Sequence, residues 1–241
     1  PRAASRRGGR LPKPAYGRLF AWPVGAGGAT METKGVRLAI SLVLALPSAA
    51  YGFECTRAES TVGPSLIWTG RIVPWVAAPG LFDAIGDRAV GREEVVASFE
   101  AWSGPDCTDL RFDFRGEQAA QPGFTPGGAN TNVVAYVPQD WPHQLGAIAV
   151  TPPTFAPRNG QLVDADIELN GERFNFARVD DTCTEEDDQT DLRNTLTHEV
   201  GHLLGLEHPP AIERYRDVTM FASAPPCETQ KSSLAPDDIE G

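Results

Sequence analysis

Leu110, Phe112 and Phe114 alternate with Arg111, Asp113 and Arg115, the period-two pattern of a strand with one buried face. Just before it, Val95, Phe99 and Trp102 recur at spacings of four and three within residues 87–102. That spacing predicts a helix whose single apolar stripe packs on a sheet. Residues 65–68 and 71–76 read as a first strand region, punctuated by Gly70 and Pro74. Beyond a Pro/Gly/Asn-rich loop at 121–132, the apolar run 133–137 predicts a buried strand. Residues 145–150 are small and apolar and precede Pro152 and Pro153. They suit an edge strand, whose free amides and carbonyls can pair with an extended peptide. Residues 163–170 alternate again and predict one further strand.

The stretch 198–208 changes the picture from architecture to chemistry. It reads His198-Glu199-Val200-Gly201-His202-Leu203-Leu204-Gly205-Leu206-Glu207-His208. On a helix, His198 and His202 leave one face a turn apart and can grip a single cation. Gly205 tolerates the left-handed conformation that ends a helix, so the chain can turn and bring His208 round as a third ligand. A fourth position stays open for water, and Glu199 lies near enough to take a proton from it. Five fixed residues at this spacing arise by chance in such a chain with a probability on the order of 10⁻⁵. A lone histidine would be read as a core residue; this constellation is read as a metal site.

These residues resemble the metzincin metallopeptidases. The resemblance extends to a methionine turn beneath the zinc, for which Met220 in Val218-Thr219-Met220-Phe221 stands in the right place. The order strand, helix, several strands, zinc helix is similar to the matrixin branch over residues 65–241. What the resemblance implies is an α/β (α+β) fold: a twisted, mostly parallel five-stranded sheet with an antiparallel edge strand, the zinc helix beneath it, and a small C-terminal subdomain. It also implies that Gly146, Ala147, Ile148 and Ala149 line the cleft as the substrate edge strand, and that residues 234–241 begin the last helix, which the sequence cuts short. Zinc is the implied cofactor, held by His198, His202 and His208. Glu199 is the implied catalytic base and Met220 a floor under the ligands. Pro209 is closer to the serralysin pattern, and only His143 stands outside the motif, so no second zinc is expected. Asn194, one turn before His198, either faces the pocket beyond the zinc or lies on an exposed helix face.

The 241 residues carry 21 Lys/Arg and 32 Asp/Glu, a formal net charge of −11. Residues 1–52 hold eight basic residues and one acid, leaving 13 basic and 31 acidic residues and a net of −18 from Phe53 onward. An acidic body argues against nucleic acid or an anionic membrane as partner. The expected partner is a protein or peptide substrate, and the chain is expected to act as a monomer without stable membrane insertion. Residues 31–52 have the build of a secretory signal: Lys34 and Arg37, an apolar run at 38–46, and small residues Ala50 and Gly52 for cleavage before Phe53. The domain reading is therefore an unstructured upstream extension at 1–30, a signal peptide at 31–52, and a catalytic domain at 53–241 exported to the extracellular space or periplasm.

Four cysteines in the exported part suggest two disulfides with three possible pairings. Cys55 with Cys107 and Cys183 with Cys227 is the expected set; Cys55 as a thiolate blocking the zinc is the alternative for that residue. The acidic run Asp180, Asp181, Glu185, Glu186, Asp187, Asp188 and Asp191 precedes the zinc helix, where carboxylates favour the helix N-terminus. A calcium site is its second reading. Two rivals to a secreted zinc endopeptidase stand: a secreted binding module with a structural zinc, and a zinc hydrolase acting on something other than peptides. Retention of Glu199 counts against the first, and the peptide-pairing edge strand against the second.

Overall fold

The computed structural model describes residues 53–59 and 62–240; the expected upstream extension and signal peptide lie outside them. The described chain starts with β1 (Glu54–Cys55) and the hairpin of β2 (Arg57–Glu59) and β3 (Val62–Ser65). β4 (Ile72–Ala77) leads through a short 3-10 turn into α1 (Arg88–Ser103). Asp87 caps that helix by accepting hydrogen bonds from the amides of Ala89 and Val90, which satisfies donors the first turn leaves free. β5 (Arg111–Glu117) and β6 (Asn132–Val137) follow, then β7 (Ala149–Val150), β8 (Pro153–Ala156), β9 (Gln161–Ala165), β10 (Ile167–Asn170), β11 (Asn175–Ala177) and β12 (Gln189–Asp191). The long helix α2 (Leu192–Leu204), the short β13 (Leu206–Glu207) and α3 (Pro236–Glu240) complete it.

Five strands form the main sheet in the order β5-β4-β6-β10-β7. All neighbours are parallel except β7, which runs antiparallel to β10 at the edge. This is the mostly parallel five-stranded sheet with an antiparallel edge strand that the family resemblance implies. Its centre is covered on both faces, which is why β6 is an unbroken apolar run rather than an alternating one. One face supplies Val73, Trp75, Ala77, Val134, Ile167 and Leu169 to the core shared with α1 and α2; the other buries Val76, Ala78, Val133 and Ala135. Trp75 stacks on Phe99 of α1 with ring centroids 4.0 Å apart, and Phe112 meets Phe99 edge-on. The helical stripe and the alternating strand thus meet as their spacings required. Trp102, last of the stripe, donates its indole N–H to the Thr197 carbonyl at 2.8 Å and so fastens α1 to α2. Among the described residues no helix is long and apolar enough to cross a membrane.

Three expectations need correction. Residues 163–170 are two strands in two sheets, because the chain changes partners at Asp166. β9 pairs with β8, whereas β10 pairs with β6 and β7. The buried Asp166 carboxylate accepts the amides of Gly123 at 2.6 Å and Val133 at 2.8 Å, tying the long loop to the sheet at the break. The edge strand is also shorter than expected: of Gly146, Ala147, Ile148 and Ala149 only Ala149 lies in β7. Asn170 extends the connection irregularly, its amide donating to the Ile148 carbonyl and its side chain to the Ala147 carbonyl. Finally, Cys183 and Cys227 are joined, but Cys55 and Cys107 are thiols. Cys55 is held in β1 opposite Leu206 of β13, whereas Cys107 follows α1 with its sulfur near the Ile239 carbonyl of α3. The two cysteines are anchored to different elements.

Candidate metal centre

The centre is built on α2 and on the turn that ends it. Asp191 is the N-cap, its carboxylate accepting the Asn194 amide at 2.7 Å and, through its other oxygen, the Val179 amide. Upstream, the Asp187 carboxylate accepts from the Thr184 amide and hydroxyl, and Asp180 from those of Thr182. Several carboxylates of the acidic run therefore serve turns and the helix entry. At the other end Gly205 adopts φ 98°, ψ 15°, and its N–H closes onto the Gly201 and His202 carbonyls, the left-handed C-cap that only glycine adopts at little cost. A Cβ there would also stand 2.4 Å from the Leu66 carbonyl oxygen.

Gly205 thus reverses the chain into β13 and delivers His208 to the face of α2 that carries His198 and His202. The three Nε2 atoms form a nearly equilateral triangle with edges of 3.2 Å (His198 to His202), 3.1 Å (His198 to His208) and 3.0 Å (His202 to His208). These are not hydrogen bonds. His198 Nδ1–H donates to the Thr219 carbonyl at 2.7 Å and His202 Nδ1–H to the Leu206 carbonyl at 2.9 Å; His208 Nδ1 lies 3.5 Å from the Glu207 carboxylate. The Thr219 and Leu206 carbonyls thereby place the proton of His198 and His202 on the outer nitrogen and leave a lone pair on Nε2, and His208 turns its Nε2 to the same point. Three lone pairs pointed at one spot repel unless a cation sits between them. Two nitrogens each about 2.05 Å from a tetrahedral ion are roughly 3.3 Å apart, close to the edges observed. Burial holds all three imidazoles below their ordinary pKa, His198 furthest, so the donors are neutral, as metal ligation requires. Among the described residues these three side chains form the group of His, Cys, Asp or Glu close enough to share an ion.

Glu199 lies beside the triangle and is buried, 6% exposed. Burial pushes its carboxyl up to about 7, against the Thr151 hydroxyl and the nearby His208, which pull it down. That hydroxyl donates to Glu199 Oε2 at 2.6 Å.

Against Gly201 of α2, Met220 is fully buried. A Cβ on Gly201 would come within 2.2 Å of its sulfur, so the methionine occupies the space a larger residue at 201 would need. The preceding residue, Thr219, supplies the carbonyl that orients His198. This turn is held from α3: the buried Asp238 carboxylate accepts the Thr219 amide at 2.9 Å, the Met220 amide at 3.3 Å and the Ala235 amide at 2.8 Å. Asn194 is neither exposed nor open: its Oδ1 accepts the Lys231 amide at 2.7 Å and its Nδ2 approaches Glu228. Lys231, 3% exposed, pairs with Glu228 and donates to the Ser223 carbonyl. Sequence reasoning missed Thr151, Asp238 and Lys231. Asp238 in a short acidic helix resembles any solvated turn, and nothing near Thr151 in the chain points to a partner 48 residues away.

Gly205→Ala is expected to destabilise the fold by about 2–4 kcal/mol, combining a strained backbone with the Leu66 clash. It should weaken metal binding as well, because His208 follows the distorted turn. Thermal unfolding followed by metal titration checks both; an unchanged unfolding temperature contradicts it.

Comparison with known proteins agrees with this geometry. Metalloendoproteinase 1 of Glycine max is 34% identical over 87 residues, 36% of this chain and 25% of the relative. The aligned segment thus spans a quarter of that protein's own length. The family model described as matrixin matches residues 87–241, more than half of the chain, from the first helix through the histidine triangle to α3. With its parallel sheet, antiparallel edge strand, His-Glu-x-x-His-x-x-Gly-x-x-His turn and buried methionine, the chain belongs to the matrixin family.

Proposed function

We propose that this protein is an exported zinc endopeptidase in which His198, His202 and His208 hold the metal and Glu199 moves the proton. Membership of the matrixin family supports a zinc metalloendopeptidase in general. The observation that carries the finer reading is the triangle of converging Nε2 atoms with one buried carboxylate beside it. Zinc bound there would polarise a scissile carbonyl and lower the pKa of its water to about 7. Glu199 then takes a proton from the attacking water and hands it to the leaving amine, so one carboxyl serves as base and acid in turn. The Thr219 and Leu206 carbonyls keep His198 and His202 in the ligating tautomer throughout. Met220 takes no chemical step and acts as packing under the ligands.

β7 supports a peptide as substrate. It is the last strand of the sheet, and an edge strand can pair with an extended chain; Gly146, Ala147 and Ile148, just before it, would lengthen that pairing edge. A closed structural zinc has no use for a base, and all three histidines keep some solvent exposure, which supports a fourth position open to water. Calcium belongs to the reading only as a structural ion near the acidic run, with no ligands assigned.

Digestion of a mixed peptide library tests the activity: internal cleavage that a chelator abolishes and zinc restores supports an endopeptidase, and a zinc-loaded protein that leaves every peptide intact supports a structural metal. Export rests on the apolar run 38–46 with Ala50 and Gly52, and the Cys183–Cys227 bridge suits an oxidising compartment. N-terminal sequencing of exported material is expected to start at or near Phe53; retention of residues 38–46 contradicts it.

A further inference from the structure

We infer that Thr151 is a positioning residue for Glu199, fixing which carboxylate oxygen handles the proton; this rests on the endopeptidase reading above. The hydroxyl sits 2.6 Å from Glu199 Oε2. In the ionised form that acts as base the carboxylate can only accept, so there the hydroxyl is the donor, and the separation is in the range of a charge-assisted hydrogen bond. The Glu199 backbone carbonyl, at 3.4 Å from the same oxygen, is the weaker competitor.

The local chain makes this donor rigid. Thr151 directly follows β7 and directly precedes Pro152 and Pro153. A residue before proline is confined to extended backbone, and a β-branched side chain has few χ1 choices. Ala149, two residues earlier, packs against the core that contains α2, and residues two apart on a strand share a face. The hydroxyl is therefore directed at the helix by the strand and not by chance of rotamer.

With Oε2 engaged, Oε1 is the oxygen that receives the proton from the attacking water. After transfer, Oε2 is the carbonyl oxygen of the acid and still accepts the same O–H, so the proton stays on Oε1 until the leaving amine takes it. No proton is gained or lost by Thr151 at any stage. Because the donor is continuous with β7, a peptide paired along that edge would lie next to the residue that aims the base. Substrate alignment and base orientation then share one element.

The test compares Thr151→Val, which keeps shape and removes the hydroxyl, with Thr151→Ser, which keeps the hydroxyl, in the zinc-loaded protein. Thr151→Val should retain the parent's zinc content and a KM within about twofold, while kcat falls roughly 10- to 100-fold, the scale of a misaimed catalytic group. Thr151→Ser should recover kcat to within about threefold. Independently of turnover, the ¹³C resonance of the Glu199 carboxyl, assigned by its loss in Glu199→Gln, should shift in Thr151→Val and return in Thr151→Ser. A parent that holds zinc but cuts no peptide overturns the peptidase reading and this role with it, and is recognised before any variant is made. An active parent whose Thr151→Val form keeps its kcat, whose Thr151→Ser form is equally slow, or whose Glu199 resonance does not move overturns the positioning role alone.

Discussion

Glu199→Gln should bind zinc as the parent does and lose about 10²- to 10⁴-fold of turnover, the usual share of acid–base assistance. The substitution preserves size and leaves the three Nε2 atoms untouched, since Glu199 makes no contact that orients the histidine rings. The outer nitrogens of His198 and His202 are held by the Thr219 and Leu206 carbonyls, and His208 Nδ1 lies 3.5 Å from the Glu207 carboxylate. The amide can still accept the Thr151 hydroxyl through its oxygen, so the fold around α2 has no reason to change. What disappears is the capacity to carry a proton. The loss should fall in kcat with KM little affected, and dialysed protein analysed for metal should show unchanged zinc. Loss of zinc in this variant would mean that Glu199 is needed for the ligand geometry, which the observed contacts do not suggest.

His202→Ala should fail differently. It removes one corner of a triangle with edges of 3.0–3.2 Å, leaving His198 and His208 with two nitrogens for an ion that prefers four ligands. Loss of a residue that merely orients a ligand costs about 10- to 100-fold in metal affinity or activity; loss of the ligand itself should cost more. Zinc occupancy, and not only turnover, should fall. Because bound metal stabilises the state that binds it, the variant should also lose the rise in unfolding temperature that zinc gives the parent. The same experiment in Glu199→Gln should retain that rise. Calorimetry with and without zinc separates the two variants, and a His202→Ala protein that remained fully loaded would remove His202 from the ligand set.

The contrast between what was legible and what was not follows from the range of the interactions. His198, Glu199 and His202 are related by helix geometry alone, and Gly205 announces its own left-handed φ, so the spacing of eleven consecutive residues was enough to foresee that His198, His202 and His208 converge. The Val95–Phe99–Trp102 stripe and the Phe112–Phe114 alternation were legible for the same reason. Asp166 was not: its carboxylate breaks a well-alternating stretch by accepting amides from Gly123 and Val133, 43 and 33 residues away. Cys55 was misassigned because a two-residue strand captured by β13 carries no pattern of its own. Asn194, left open between a pocket and an exposed position, proved to bracket the Lys231 segment. That choice depends on where the chain after Met220 returns, which no local period encodes.

The most direct measurement is zinc content by mass spectrometry made on the same samples used for cleavage of an internally quenched peptide, for parent and Glu199→Gln. One zinc per chain in both proteins, with cleavage by the parent that a chelator abolishes and zinc restores, and almost none by the variant, is the expected result. Full cleavage by Glu199→Gln, or a zinc-loaded parent that cuts no peptide, contradicts the mechanism.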